Sequence, residues 1–87
     1  MKYDPSYASA YNSKGIALDD LETLEAIENY DLAIKNKPDF AEAYNNKAVS
    51  YGKLGKDKEA IIFYDLAIKY KPNFAKAYNN KGASLNT

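Results

Sequence analysis

The sequence predicts an all-α protein made of stacked helical hairpins, and two observations carry this prediction. The first is an internal repeat: within the 87-residue chain, the segment PDFAEAYNNKA at Pro38–Ala48 returns 34 residues later as PNFAKAYNNKG at Pro72–Gly82. The second is that small and apolar residues in each repeat recur three and four positions apart, which is the spacing of one helix face. A period of this length indicates a unit of two helices and a turn, which buries its apolar face by stacking on the next unit.

Three segments predict helices of a first kind, which we name A1, A2 and A3. Each carries a small residue between two larger ones at helical spacing: Tyr11, Gly15 and Leu18; Tyr44, Ala48 and Tyr51; and Tyr78, Gly82 and Leu85. The small residues are expected to let neighbouring helices approach closely, with the tyrosines filling the space between them. An aromatic residue also stands two positions after each proline and is expected to fill the joint between repeats: Tyr7, Phe40 and Phe74.

Two helices of a second kind, B1 and B2, lie between these segments. AIENYDLAIKNKP at Ala26–Pro38 recurs as AIIFYDLAIKYKP at Ala60–Pro72, again 34 residues later. The final proline ends each helix because it lacks an amide hydrogen and disfavours helical geometry in the residue before it. The order is therefore A1–B1–A2–B2–A3. It makes a single domain over residues 1–87, with repeats at about 6–38 and 39–72 and a half repeat at 73–87.

The residues at the repeated positions resemble those of the tetratricopeptide repeat (TPR) family. The resemblance covers nearly the whole chain and rests on seven positions of the intact copy: Tyr44, Ala48, Tyr51, Ala60, Tyr64, Ala67 and Pro72. It implies a helical solenoid that serves as a scaffold for protein–protein interaction, with a concave groove lined by the A helices. The chain departs from the family at Lys14, Lys47 and Lys81, where an apolar residue is more usual. We expect these stems to lie along the edge of the core with the ammonium groups in water.

The segment between A1 and B1 admits two interpretations. LDDLETLEA at Leu18–Ala26 is one residue shorter than its counterpart YGKLGKDKEA at Tyr51–Ala60, and it contains no glycine. In the first interpretation the hairpin closes with a tighter turn, and Asp20 or Thr23 caps B1. In the second, A1 and B1 fuse into one helix over about Ser6–Asn36, roughly 45 Å long at 1.5 Å per residue. A fused helix would offer A1 to a second chain in a domain-swapped dimer.

The row of asparagines on the A helices is the candidate binding site. Two adjacent repeat positions hold Asn12, Asn45 and Asn79, and Ser13, Asn46 and Asn80. Each asparagine amide offers one acceptor and two donors, so the row suits the backbone of an extended peptide. Glu42 and Lys76 vary within the row, and Val49 supplies an apolar floor. The alternative is that Asn46 and Asn80 only stabilise the fold by bonding to adjacent backbone.

Self-assembly into a homodimer is the second function that the sequence supports. Five apolar residues lie beside the short turn or replace polar residues of the other repeat: Leu18, Leu21, Leu24, Ile62 and Phe63. Residues 1–43 hold nine acids and four lysines, a net charge of −5, and residues 44–87 hold three acids and eight lysines, a net charge of +5. This division favours association of an acidic half with a basic half. In this alternative the chain is a structural unit, engineered or shortened from a longer array.

Composition argues against catalysis and against several classes of partner. The chain has no Cys and no His, so thiol chemistry and the commonest metal ligand and general base are missing. The acid pairs Asp19–Asp20 and Glu22–Glu25 are expected to be solvated, and GKLGK at Gly52–Lys56 lacks the spacing of a phosphate-binding loop. With zero net charge and no long apolar segment, we expect a cytoplasmic protein with no catalytic residue, cofactor, metal, nucleic-acid partner or membrane partner.

Overall fold

The computed structural model describes residues 5–86, with side chains from Tyr7 onward, and this part of the chain forms five helices and no strand. They are α1 (Pro5–Leu18), α2 (Thr23–Asn36), α3 (Ala41–Lys53), α4 (Asp57–Tyr70) and α5 (Ala75–Leu85). Helices α1, α3 and α5 correspond to A1, A2 and A3, and α2 and α4 to B1 and B2. Each helix packs against the next one in the chain, and α3 also contacts α5. The predicted all-α solenoid of helical hairpins is confirmed.

Small residues bring the helices of each hairpin together, and tyrosines fill the remaining space. The buried set includes Ala26, Ala33, Ala48, Ala60, Ala67, Tyr30 and Tyr64. At Gly15 the approach is so close that an added Cβ would lie 2.5 Å from the Tyr30 ring. An added Cβ at Gly82 would meet no atom within 4 Å, because no described helix packs there. The predicted close approach is therefore confirmed at Gly15 and wrong at Gly82.

The joint between the second repeat and α5 is packed around Phe74. This ring is buried in a cluster with Ala41, Ala67 and Ala77. Phe40 is half-buried at the preceding joint, whereas Tyr7 is 61% exposed. The predicted packing role is confirmed for Phe74 and wrong for Tyr7, because the Tyr7 side chain is mostly exposed.

Tyrosine hydroxyls hold the proline segments against the A helices. The Tyr44 hydroxyl donates to the Pro38 carbonyl, and the Tyr78 hydroxyl donates to the Pro72 carbonyl, each at 3.2 Å. The Tyr44 ring also stacks on Tyr70, with 5.5 Å between ring centroids. The hydroxyl contact thus recurs one repeat later and joins α3 and α5 to the proline segment that precedes each of them.

The first hairpin closes in residues 19–22. Helix α1 ends at Leu18, and the Glu22 amide donates to the Leu18 carbonyl at 2.7 Å. Of the two interpretations, the closed hairpin is confirmed and the fused helix is wrong for this chain, because α2 packs directly on α1.

The predicted caps are also wrong. Glu22 is the N-cap, without a side-chain cap bond, and the Thr23 hydroxyl donates backwards to the Asp19 carbonyl at 2.9 Å, so Asp20 and Thr23 do not cap α2. Exchange of α1 between two chains stays a prediction.

Glycine shapes the turn of the second hairpin. Helix α3 ends at Lys53, and Gly55 has a φ of 77°, in the left-handed region that favours glycine. The Gly55 amide donates to the Gly52 carbonyl at 3.0 Å, and the Lys56 amide donates to the Tyr51 carbonyl at 2.9 Å. These two bonds form a Schellman motif, which satisfies carbonyl groups at the helix end. The one-residue difference between the two turns lies at Gly55.

Candidate peptide-binding groove

Asparagine pairs link the three A helices in a row. The Asn46 side chain on α3 donates to Asn12 Oδ1 on α1 at 3.0 Å, and the Asn80 side chain on α5 donates to Asn45 Oδ1 on α3 at 3.3 Å. The expectation that Asn46 and Asn80 bond only to adjacent backbone is wrong, because each amide reaches a side chain of the preceding A helix. The two pairs therefore link α1 to α3 and α3 to α5.

The predicted peptide-binding residues differ in exposure. Glu42, Lys76 and Asn79 are exposed, Asn12, Asn46, Val49 and Asn80 are half-buried, and Asn45 is 1% exposed. Asn45 and Asn79 occupy the same repeat position, yet Asn45 is covered by α5 whereas no described helix covers Asn79. Asn45 therefore orients Asn80 and presents no amide to a peptide.

Asp19, in the turn after α1, has a structural role that the sequence did not indicate. It is 9% exposed, and its carboxylate accepts hydrogen bonds from the Ser50 hydroxyl and the Lys53 ammonium, each at 2.7 Å. Lys53 also lies 3.1 Å from Asp20, whose side chain is 92% exposed. The expectation that both acids are solvated is correct for Asp20 and wrong for Asp19, because α3 covers Asp19. This group of residues is called the Asp19 cluster below.

The contacts of the Asp19 cluster change the proton affinity of Lys53 and of Tyr30 beside it. The hydrogen bond to Asp19 raises the pKa of Lys53 above its ordinary value, against the lowering effect of burial. Burial raises the pKa of Tyr30 to about 12, and the charges of Asp19 and Asp20 act in the same direction. The sequence signal that could have revealed the cluster is the alignment of the two turns, in which Asp19 stands where the second repeat has Gly52.

Two of the lysines that depart from the family pattern join a B helix to the following A helix. The Lys47 ammonium lies 2.5 Å from the Asp31 carboxylate, and the Lys81 ammonium lies 2.6 Å from the Asp65 carboxylate. The ammonium groups of Lys47 and Lys81 therefore lie in partly exposed ion pairs at the edge of the core, whereas Lys14 is exposed. Partly exposed pairs of this kind contribute about 0–1 kcal/mol each to stability.

The predicted self-association residues also differ from one another in exposure and in their contacts. Leu21 and Leu24 are 90% and 69% exposed, Ile62 is exposed, and Leu18 is half-buried. Phe63 stacks on Tyr51 with 5.2 Å between ring centroids, and the Lys47 ammonium lies 4.2 Å from the Phe63 ring centroid. The expectation of an outward-facing residue is therefore confirmed for Ile62 and wrong in part for Phe63, which packs within its own repeat.

A cavity of about 310 Å³, called the Gly52 pocket below, opens between α3, α4 and α5. It is lined by Val49, Gly52, Lys53, Asp57, Tyr64, Asn80, Ala83 and Ser84, which include two of the predicted binding residues. Burial raises the pKa of Tyr64 above its ordinary value, although a hydrogen bond with the Ser84 hydroxyl acts in the opposite direction. The pocket thus has a buried phenol on one side and the end of α3 on the other.

Neither a metal-binding cluster nor a membrane-spanning helix occurs in the part of the chain that the structure describes. Residues 5–86 contain no group of three or more acidic, His or Cys side chains that could hold a metal ion. No helix within the same span is long and apolar enough to cross a membrane.

Two family models match the sequence. One, described as tetratricopeptide repeat, matches residues 41–74, and the other, described as TPR repeat, matches residues 23–55. Together the two matches span residues 23–74, which is more than half of the chain. No curated protein sequence gives a significant match.

Solved structures match over nearly the whole chain. The first TPR of Spaghetti (RPAP3), bound to the HSP90 peptide SRMEEVD, is similar with a TM-score of 0.90 and 27% sequence identity, and the match covers 93% of this chain and 67% of that one. MamA is similar with a TM-score of 0.87 and 30% identity, and the match covers 95% of this chain and 49% of that one. The chain therefore spans about half the length of MamA.

Proposed function

Since the chain belongs to the tetratricopeptide repeat family, we propose that it is a protein–protein interaction module that binds an extended peptide in the concave groove of α1, α3 and α5. The observation that carries this proposal is the asparagine row, in which side chains of all three A helices are linked. The similar first TPR of Spaghetti (RPAP3) is bound to a peptide, which supports this class of partner. Binding relies on shape and on hydrogen bonds to the peptide backbone, with no bond-breaking step.

The asparagines have different roles in this proposal. Asn79 is exposed and offers its whole amide to the peptide backbone. Asn46 and Asn80 each use one amide donor within the row, and an amide has a second donor and an acceptor with which to meet a peptide. Asn12 accepts from Asn46, so its own nitrogen is the group that would donate. Asn45 is a positioning residue, since it is buried and acts through Asn80.

Three further residues would select the side chains of the peptide. Val49 is half-buried and lines the Gly52 pocket, so it offers an apolar contact at the floor of the groove. Glu42 and Lys76 are exposed and carry opposite charges on successive A helices. Glu42 is held only weakly, since the Lys71 ammonium lies 4.0 Å away. These charges would set the direction of a peptide whose own charges are uneven.

Asn79→Ala tests the groove. An arrayed library of extended peptides that includes SRMEEVD would supply ligands, with affinities measured by fluorescence anisotropy. The substitution should weaken binding about fivefold, because one net hydrogen bond contributes about 1 kcal/mol. Asn36→Ala is the matched control, since the Asn36 side chain on α2 bonds to the Leu32 carbonyl of its own helix at 2.9 Å. Equal affinities of the two variants would contradict binding in the groove.

A second candidate function is self-assembly, which the 90% and 69% exposure of Leu21 and Leu24 favours. We propose a homodimer in which these leucines and Ile62 pack on the second copy, with Leu18 and Phe63 at the edge, either by surface contact or by exchange of α1. Light scattering at tens of micromolar protein should give the dimer mass, and Leu21→Ser with Leu24→Ser should give the monomer. Leu54→Ser in the other turn is the control and should leave the dimer intact. A wild-type monomer at this concentration would rule the dimer out.

A further inference from the structure

One side of α5 repeats a surface on which a B helix packs, yet no described helix covers it. Its residues Tyr78, Gly82 and Leu85 are called the α5 face below. They stand 34 positions after the residues of α3 that pack on α4, which are Tyr44, Ala48 and Tyr51. Tyr78 and Leu85 are 51% and 61% exposed, whereas their counterparts on α3 are half-buried. The α5 face is therefore open where the matching surface of α3 is covered.

At Gly82 the α5 face leaves room for an aromatic ring. The small residue at this repeat position in the first hairpin is Gly15, where an added Cβ would lie 2.5 Å from the Tyr30 ring of α2. Gly82 has the same place in α5, but an added Cβ would meet no atom within 4 Å. A helix that brought a tyrosine over Gly82 would thus make the contact that joins α1 to α2 in the first hairpin.

Lys81 shows that the same neighbour is missing. Its counterpart Lys47 pairs with Asp31 of the preceding B helix, and its ammonium also lies 4.2 Å from the centroid of the Phe63 ring on the following one. Lys81 has only the first kind of contact, with Asp65, and no ring of the described residues lies over its ammonium. Its side chain is accordingly 31% exposed, against 14% for Lys47.

The charges of the helices favour an acidic helix on the α5 face. Helix α5 has two lysines and no acid, a net charge of +2. The helices that pack on the other A helices are negative: α2 has three acids and one lysine, and α4 has three acids and two lysines. Opposite charge therefore accompanies both hairpins, and a third helix of the B kind would complement α5 in the same way.

We propose that the α5 face docks an acidic amphipathic helix of a partner protein. This helix has two small residues seven positions apart and an aromatic residue four positions after the first, as Ala60, Tyr64 and Ala67 are arranged in α4. It lays its apolar side along α5, as helix-in-groove ligands do. The inference goes beyond the proposed function, because it concerns a helical ligand and a different set of α5 residues.

A second copy of this chain is the less suitable occupant. Both of its B helices already bury their inner residues within their own hairpins: Ala26, Tyr30 and Ala33, and Ala60, Tyr64 and Ala67. A second copy could offer such a surface only by opening a hairpin, which would expose a buried tyrosine and its alanines to water. A separate amphipathic helix has no such cost.

A synthetic peptide with the sequence of α4, Asp57–Tyr70, is the probe. Its ends are acetylated and amidated, and a lactam bridge joins the side chains of Asp65 and Lys69, which are exposed and one helical turn apart, because short free helices are marginal in water. NMR would follow the amides of the full chain during titration to millimolar peptide. The peptide should shift the amides of Gly82 and Leu85 more than that of Gly15, and unshifted α5 amides would overturn the proposal.

Two changes in the peptide test how it docks. Tyr64→Ala should abolish the shifts, because this ring is the group that would lie over Gly82. Ile62→Ala is the matched control, since Ile62 is 57% exposed on the outer side of α4, and it should change the affinity by less than about twofold. Equal losses in the two peptides would contradict docking through the inner side of the helix.

Two variants of the full chain locate the peptide. Gly82→Leu should abolish binding by filling the space on the α5 face, and α5 should tolerate it because the position is open and leucine is a better helix former than glycine. Gly52→Leu is the matched control, since it adds the same side chain at another open helical glycine outside the α5 face. Binding that survives in Gly82→Leu would overturn the proposal. Should that variant not fold, the comparison of the two peptide changes decides.

Light scattering distinguishes the partner helix from a second copy. The mass of the full chain should be the same with and without Gly82→Leu, because the α5 face is not used between copies in this proposal. A wild-type dimer that Gly82→Leu converts to a monomer would show that a second copy occupies the α5 face, and would overturn the assignment to a partner protein.

Discussion

The two hairpins of this molecule have closely similar helices but different turns. The turns determine whether neighbouring A helices are linked by side chains or separated by an open gap. After α1, Asp19 bonds to Ser50 and Lys53 and ties the first turn to α3. After α3, Gly52 leaves the corresponding gap open, and Gly55 completes the turn with a φ of 77°. One position at the end of an A helix can thus either link two repeats or provide a pocket, without changing the hairpin itself.

Gly15→Val should cause the largest loss of stability, because it disturbs the close packing of the first hairpin. A Cβ at Gly15 would lie 2.5 Å from the Tyr30 ring, so overpacking should cost about 3 kcal/mol of stability. Gly82→Ala is the control: it lies in open space and should gain up to about 1 kcal/mol. Urea unfolding measures both, and equal effects would show that the Gly15 contact does not hold α1 on α2.

Alkaline pH should weaken the first hairpin through Tyr30. The pKa of Tyr30 is raised from 10.0 to about 12, so the folded chain keeps this proton more strongly than the unfolded chain. Stability is therefore full below the unfolded pKa of 10.0 and falls as the pH rises towards the folded value of about 12. A shift of two pKa units corresponds to about 2–3 kcal/mol.

Tyrosine-to-phenylalanine variants assign this pH dependence to one hairpin. Tyr30→Phe should remove more of the loss of stability at alkaline pH than Tyr64→Phe does. The reason is that the hydrogen bond with Ser84 opposes the rise of the Tyr64 pKa. Urea unfolding at a series of alkaline pH values measures the slope for each variant. An unchanged slope in Tyr30→Phe would contradict the burial of its hydroxyl.

Asp19→Ala should cost about 2 kcal/mol, because it removes the acceptor of a buried hydroxyl and of a partly exposed ammonium group. Ser50 is fully buried and would lose its acceptor in the first turn, keeping only the longer bond of 3.2 Å to the Asn46 carbonyl of its own helix. Asp20→Ala is the matched control, since this side chain is almost fully exposed, and it should change stability by less than about 0.5 kcal/mol. Urea unfolding of both variants checks the difference, and equal values would mean that the first turn is not tied to α3.

The two glycines of the second turn should show the smallest effects and opposite signs. Gly55→Ala should cost about 1 kcal/mol because alanine is strained at a φ of 77°. Gly52→Ala should gain up to about 1 kcal/mol, since the position is helical and open. Thermal unfolding distinguishes the two, and a loss of stability in Gly52→Ala would indicate that the pocket is closed in solution.

The helices could be predicted because their signal is local and repeated. Apolar residues at helical spacing, prolines after each B helix and a 34-residue offset all indicate the same architecture. The first turn could not be settled, because Leu18–Ala26 contains only residues that a helix accepts. The closed turn goes with the close contact between Gly15 and Tyr30, which depends on the packing of two helices.

The site could be predicted only in part, because its polar groups are paired across repeats. Asp19 resembles a solvated turn residue, and its partners Ser50 and Lys53 are 31 and 34 positions away along the chain. Asn45 and Asn79 have the same place in the repeat, but only Asn45 is covered by a following A helix. Sequence periodicity makes such positions look equivalent, and their neighbours in space make them different.

A pair of double-mutant cycles compares the two gaps. One cycle combines Asp19→Ala with Ser50→Ala, and the other combines Gly52→Ala with Ser84→Ala, with the free energy of unfolding measured for every variant. The coupling should be about 1 kcal/mol in the first cycle, where the two side chains are hydrogen-bonded, and close to zero in the second. Equal coupling in the two cycles would contradict the conclusion that the first gap is bridged and the second is open.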